Sequence, residues 1–186
     1  MEHQEIEVRF LEIDKETLIA RLQELGAKDL GEDMLEEVII YDKELSWQRD
    51  VRKMLRIRSR AGKIHLTFKH HHENSATGTE EIESEINDIK KAEALLDRLG
   101  YVSVRHQQKL RHTFHLGDVI IDIDTWPKVP TYVELEGTSE ESLKEAAELL
   151  GLDWSLVELR NPRDVLEKVY NIHIATMTWF TFDRFE

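Results

Sequence analysis

The 186-residue chain has no cysteine, which excludes disulfide staples, thiolate metal centres and a cysteine nucleophile and leaves its redox compartment unread. Long apolar runs are missing too: nothing approaches the roughly 18 consecutive apolar residues of a membrane-spanning helix. The first ten residues already carry strand alternation and charge, so the reading leaves no room for an apolar signal segment. It expects a cytoplasmic protein with one domain over residues 1–186. Positive charge is in deficit, with 25 Lys and Arg against 38 Asp and Glu and a formal net charge of -13. Such a chain repels a nucleic-acid backbone or an anionic membrane, so neither is an expected partner and any bound anion must meet a local basic site. Glycine is sparse. Gly62, Gly78 and Gly117 fall in turns, and neither the GxGxxG nor the Walker spacing occurs, which removes the common phosphate loops. No Pro/Ser-rich linker divides the chain.

What is present is ordered alternation. Asp14 precedes KETLIARLQEL, Asp88 precedes IKKAEALLDRL, and both runs stop at glycine, Gly26 and Gly100. This is the start and stop pattern of amphipathic helices. Thr138 with Glu141 reads as a capping box for a third helix ending at Gly151. Asn161 and Pro162 open a fourth, with Val165, Leu166, Val169 and Tyr170 as its apolar face. Between helices the period falls to two, which predicts strands near residues 4–13, 34–42, 53–60, 63–71, 79–87, 102–115, 118–125 and 131–137. Short turns join neighbouring strands, so the sheet is expected to be largely antiparallel. EIEVRF, a helix and RIR echo ESEI, a helix and KLR, which suggests an internal duplication.

The polar positions of these strands sort by sign. They read Glu5, Glu7 and Arg9; Arg56 and Arg58; Thr67 and Lys69; Glu81, Glu83 and Glu85; Lys109 and Arg111; Asp122 and Asp124; Glu134 and Glu136. Apolar residues alternate with them throughout. Two architectures satisfy this: a sandwich with charges toward water, or a barrel with charges inward and apolar faces under helices. Solvated faces usually mix signs, whereas like charges on one face repel by about a few tenths of a kcal/mol per pair, so unmixed clusters point to a ligand. Carboxylates about 7 Å apart along a strand suit a hard divalent cation, and Arg and Lys suit phosphate oxygens. Together they describe a metal–polyphosphate site.

This run, with LRIR, LTFK, KLR, DID and VELEG in order from Glu5 to about Phe182, resembles the CYTH superfamily of triphosphate tunnel metalloenzymes, which includes class IV adenylyl cyclases and thiamine triphosphatases. The resemblance implies an α+β fold, an eight-stranded antiparallel β-barrel forming a triphosphate tunnel, with helices packed outside. It assigns Glu5, Glu7, Glu134 and Glu136 to metal, either Mg²⁺ or Mn²⁺. It gives Arg9, Arg56, Arg58, Lys69, Lys109 and Arg111 a grip on phosphate, with Lys69, Lys109 and Arg111 carrying the reaction. Glu83, Glu85, Asp122 and Asp124 would place a metal or orient the basic groups. The family opening is ExExK, and Arg9 departs from it; a guanidinium binds phosphate bidentately but cannot act as a neutral base.

The activity so implied is metal-dependent hydrolysis of tripolyphosphate or an organic triphosphate such as thiamine triphosphate or ATP. The alternatives are cyclisation of ATP to cyclic AMP and pyrophosphate, and a polyphosphate-binding module without turnover. The KHHHE tract starting at Lys69 reads as a solvated loop, since three successive histidines cannot all face one ion. His112 alternates with Arg111 and should face the helices. Tyr41 reads as packing, and Trp154, Trp179 and Phe180 as packing of the C-terminal segment, although an exposed MTWFTF would equally serve a homodimer contact.

Overall fold

Asp14, Asp88 and Ser139 each stand in extended conformation and accept a backbone N–H three residues on, from Thr17, Lys91 and Ser142. Each thereby satisfies an otherwise orphaned donor and opens a ten-residue helix: α1 Lys15–Glu24, α3 Ile89–Arg98 and α4 Glu140–Leu149. The third cap is Ser139, one residue beyond the expected Thr138. Replacing Ser139 by alanine should lower stability by about 1 kcal/mol, read as a small fall in the urea midpoint. Gly26, at φ +72°, takes the left-handed turn that ends α1. The computed structural model describes residues 6–49, 53–71 and 79–186. Glu5 and the histidine-rich stretch from position 72 therefore lie outside the described residues.

The strands are β1 Ile6–Phe10, β2 Lys28–Asp42, β3 Lys53–Arg60, β4 Lys63–His71, β5 Thr79–Ile86, β6 Tyr101–Leu116, β7 Val119–Thr125 and β8 Tyr132–Gly137, with a short α2 Ser46–Arg49 after β2. They pair in the order β1-β8-β7-β6-β2-β3-β4-β5. A two-residue strand, β9 Trp179–Phe180, lies parallel to β6. The fold class is the expected one, eight antiparallel strands with helices on their apolar faces, and the ladder path has two ends, β1 and β5. Apart from the four-residue α2, the element order β1-α1-β2-β3-β4 recurs as β5-α3-β6-β7-β8. Exchanging strands of equal rank turns the sheet order into its own reverse, so the echo heard in the sequence is also present in the connectivity.

Two expectations shift. Strand β2 begins at Lys28 rather than near 34, because KDLGED is polar and mostly exposed and shows no apolar alternation. The fourth helix is capped by Asn161 as expected, but after one turn, α5 Pro162–Asp164, it widens into a π segment, Val165–Val169. The wider turn rotates the face: Val165 and Leu166 are buried, while Val169 is 38% exposed.

The chain forms two compact units. In the first, residues up to Asp33 with Leu110–Ile172, α1 and α4 send Leu18, Leu22, Leu143 and Ala147 onto Val8, Phe10, Phe114, Ile121, Ile123, Val133 and Leu135. In the second, Met34–Lys109 with His173–Glu186, α3 and Trp47 cover Val38, Ile40, Leu55, Ile57, Leu66 and Phe68. Each fully buried apolar side chain contributes roughly 1.5–3 kcal/mol. In both units the alternation then forces the charged residues onto the opposite face of the same strands.

Candidate functional site

On the charged face of the first unit, carboxylates surround a guanidinium. Arg111 of β6 lies opposite Asp124 of β7 in register, and Asp122 lies opposite Glu134 of β8. Arg111 donates through Nε and Nη2 to both oxygens of Asp124 at 2.7 and 2.6 Å, through Nη1 to Asp122 at 2.6 Å and through Nη2 to Glu134 at 2.6 Å. All three carboxylates are buried. Burial works against the charged guanidinium, yet hydrogen bonds and charge from Asp124, with Glu134 and Asp122, outweigh it and hold Arg111 well above its ordinary pKa. Asp122 also accepts from the Thr113 hydroxyl at 2.6 Å. Tyr132 is buried beside Asp124 and Glu134; desolvation first, and then their charge, push its phenol up, and its oxygen accepts from Trp126 Nε1 at 2.8 Å.

Arg9 is buried in the same unit. Its Nε donates to Glu134 at 2.7 Å and its Nη1 to the Arg160 carbonyl at 2.8 Å, and it pairs with Glu7. The phosphate grip that the resemblance implies for Arg9 and Arg111 thus meets guanidinium groups already engaged with carboxylates. Glu7 and Glu136 stand directly opposite each other in the β1–β8 ladder, a like-charge pair on one face that a cation would relieve.

The second unit inverts the arrangement. One carboxylate, Glu37 of β2, lies opposite Arg58 of β3 and takes its Nε at 2.6 Å and Arg56 Nη1 at 3.3 Å. Gln107 of β6 donates its amide to the other Glu37 oxygen at 2.5 Å. Burial would raise the Glu37 pKa, but the charges of Arg58, Arg56 and Lys109 and the Gln107 hydrogen bond together depress it to about 2, so Glu37 is ionised. Arg56 is pushed below its ordinary value by burial and by repulsion from Arg58, and its buried Nε has no hydrogen-bond partner among the described residues. Lys69 pairs with Glu81 at 2.8 Å, and Glu83 accepts from Thr67 at 2.8 Å. Glu85 is exposed, opposite His65 in the ladder. Positive charge is in excess around Glu37.

The structure thus gathers Glu7, Arg9, Arg111, Asp122, Asp124, Glu134 and Glu136 in one unit, and Arg56, Arg58, Lys69, Glu83, Glu85 and Lys109 in the other. Sequence reasoning missed Glu37, Arg105 and Gln107. The signal was available: Arg105, Gln107, Lys109 and Arg111 alternate along RHQQKLR, and Glu37 alternates with Ile39 and Tyr41. His112 lies on the helix-facing side as expected, stacked on Phe114 at 4.3 Å with Nε2 2.7 Å from Asp29. Trp154 packs against Phe10 in the core of the first unit.

As metal ligands, the candidates fit in chemistry, since all are hard carboxylate oxygens suited to Mg²⁺ or Mn²⁺. Among the described residues no three of them converge as a ready cation cage, because Asp122, Asp124 and Glu134 converge on Arg111 instead. Glu7 and Glu136, opposed in the ladder, would offer a cation two facing carboxylates.

The chain belongs to the CYTH domain family, whose model matches residues 3–158. A protein of Methanocaldococcus jannaschii provisionally named an adenylate cyclase is 27% identical over 133 residues, 71% of this chain and 75% of its own. A solved structure from Pyrococcus horikoshii OT3 superposes with a TM-score of 0.68 at 25% identity, covering 84% of this chain and 96% of that one. A Hippeastrum protein, provisionally an adenylyl cyclase and described as having a dominant triphosphatase activity, shares the fold with a TM-score of 0.62 at 17% identity over 89% of this chain and 96% of that one. No helix among the described residues is long and apolar enough to cross a membrane.

Proposed function

We propose that this CYTH protein acts on triphosphates with a divalent cation, hydrolysing inorganic or organic triphosphate. The observation that carries the reading is the basic cluster of the second unit, in which Arg56, Arg58 and Lys109 act on a single buried carboxylate, Glu37. Three cations, Lys109 buried and Arg56 and Arg58 partly so, gathered on one buried carboxylate suit a polyanion. Arg56, Arg58, Lys69 and Lys109 hold phosphate oxygens by charge-assisted hydrogen bonds. Water attacks the terminal phosphorus, the bridging P–O bond breaks, and orthophosphate and the shortened chain leave. The basic groups offset charge as it moves onto the leaving oxygen.

Glu7, Glu134 and Glu136 are the carboxylates that would hold Mg²⁺ or Mn²⁺, joined by Glu5, with Glu83, Glu85, Asp122 and Asp124 as further candidates. A bound ion would supply additional charge neutralisation. Arg9 and Arg111, expected as phosphate ligands, are read here as holding those carboxylates in place.

A second reading, cyclisation of ATP by attack of the ribose 3'-hydroxyl on the α-phosphorus, is favoured by the name of the Methanocaldococcus relative. Incubation with tripolyphosphate, thiamine triphosphate and ATP, each with Mg²⁺ or Mn²⁺, separates the readings. Orthophosphate supports the hydrolase, cyclic AMP with pyrophosphate supports the cyclase, and metal-dependent binding without product supports a binding module. Lys109→Ala should weaken tripolyphosphate binding by more than about tenfold, the loss of one charge-assisted contact. Unchanged affinity in calorimetry would remove Lys109 from the grip.

A further inference from the structure

The family match ends at residue 158, yet the segment His173–Glu186 belongs to the same compact unit as Glu37. It is firmly seated there. Ile174 and Phe180 are buried, and β9 lies against β6 with Trp179 beside His106 and Phe180 beside Gln107. The Trp179 ring stacks on His106 at 4.2 Å, and the His106 N–H donates to the Thr178 carbonyl at 2.8 Å.

From this segment a line of side chains leads to the basic cluster. Arg105 donates through Nη1 to the Ile174 carbonyl at 3.0 Å and through Nε to Gln107 Oε1 at 2.8 Å. Gln107 donates its amide to Glu37 at 2.5 Å, and Glu37 accepts Arg58 Nε at 2.6 Å. Arg105, Gln107 and Glu37 are all buried. An amide has two orientations, and the Arg105 donor fixes one: oxygen toward Arg105 and NH₂ toward Glu37. The carboxylate so aligned fixes the guanidinium of Arg58. A neutral donor at 107 also suits the task, because it orients Glu37 while leaving the charge balance of Arg56, Arg58 and Lys109 unaltered.

We propose that the C-terminal segment, acting through Arg105 and Gln107, positions Glu37 and thereby Arg58 for binding a condensed phosphate. Arg105 and Gln107 are positioning residues outside the set the family resemblance assigns. The inference rests on the reading that Arg58 grips phosphate.

The test is calorimetric titration with tripolyphosphate in Mn²⁺, alongside steady-state kinetics, for Gln107→Met, Arg105→Met, their double variant and Arg58→Ala. Arg58→Ala should weaken binding about tenfold or more. Gln107→Met and Arg105→Met should each weaken it several-fold, raising KM with little change in kcat. The double variant should be no worse than the worse single one, since both act along one line. Phe180→Ala, which loosens β9, should weaken binding in the same way; if it fails to fold, the two methionine variants carry the test. Wild-type affinity in both methionine variants, beside a weakened Arg58→Ala, overturns the positioning role alone. An unchanged Arg58→Ala removes the phosphate reading and this inference with it.

Discussion

Arg111→Met should be the most damaging single substitution in the first unit, lowering folding stability at neutral pH by about 3–5 kcal/mol, the cost of leaving buried charge without its partner. Three buried carboxylates bond to this guanidinium, Asp124, wholly buried, Asp122 at 7% and Glu134 at 5% exposure, and Glu134 also accepts from a second cation, Arg9. Methionine fills similar space but supplies no donor, so the loss is electrostatic rather than a cavity. Arg111 in the wild type is held above its ordinary pKa. A cation with a raised value contributes stability that is lost only as pH rises through that value, well beyond neutrality, so its contribution is constant across the neutral range. The deficit of the variant should therefore stay level across the neutral range. Millimolar Mn²⁺ should recover part of it as a substitute counter-charge. Urea midpoints across pH, with and without Mn²⁺, would show this, and a deficit below about 1 kcal/mol at neutral pH would mean that the cluster behaves as an exposed ion pair.

That cluster was half legible beforehand. The DID, ELE and KLR alternations place Asp122, Asp124, Glu134, Glu136 and Arg111 on one side of their strands, because side chains alternate strictly along a strand. What alternation cannot state is which strands neighbour one another. The pairing of β7 with both β6 and β8 is what surrounds Arg111 with carboxylates. The same limit hid Glu37, whose partners Arg56, Arg58 and Gln107 come from β3 and β6, near and far in sequence. Helix starts were legible because caps are local chemistry, and the slip from Thr138 to Ser139 is a single residue. The start of β2 was not, since KDLGED is polar and lacks the period-two apolar alternation that marks a strand. The π segment after Asp164 was equally hidden, as the apolar spacing of Val165, Leu166 and Val169 fits an ordinary helix.

Glu37→Gln should produce the second large effect, and one with a pH signature. The Glu37 carboxyl is depressed from its ordinary 4.5 to about 2 despite its burial, because Arg58, Arg56 and Lys109 surround it and Gln107 bonds to it. A depressed value contributes stability that is complete above the unfolded value and is lost as pH falls toward the folded one, here between about 4.5 and about 2. The difference corresponds to roughly 3 kcal/mol at neutral pH. Glutamine keeps the shape and a hydrogen-bond acceptor but removes the charge, so the variant should lose about that much at neutral pH and approach the wild type as the medium is acidified. The three cations then repel one another without the buried carboxylate that all of them face. Because the glutamine oxygen still accepts from Arg58 and keeps it in position while the competing charge is gone, tripolyphosphate should raise the unfolding midpoint of Glu37→Gln by more than it raises that of the wild type. A stability gap that stays constant from neutral pH to about pH 3 would show that Glu37 acts by packing and not by charge. Equal shifts with tripolyphosphate would show that these cations do not meet it.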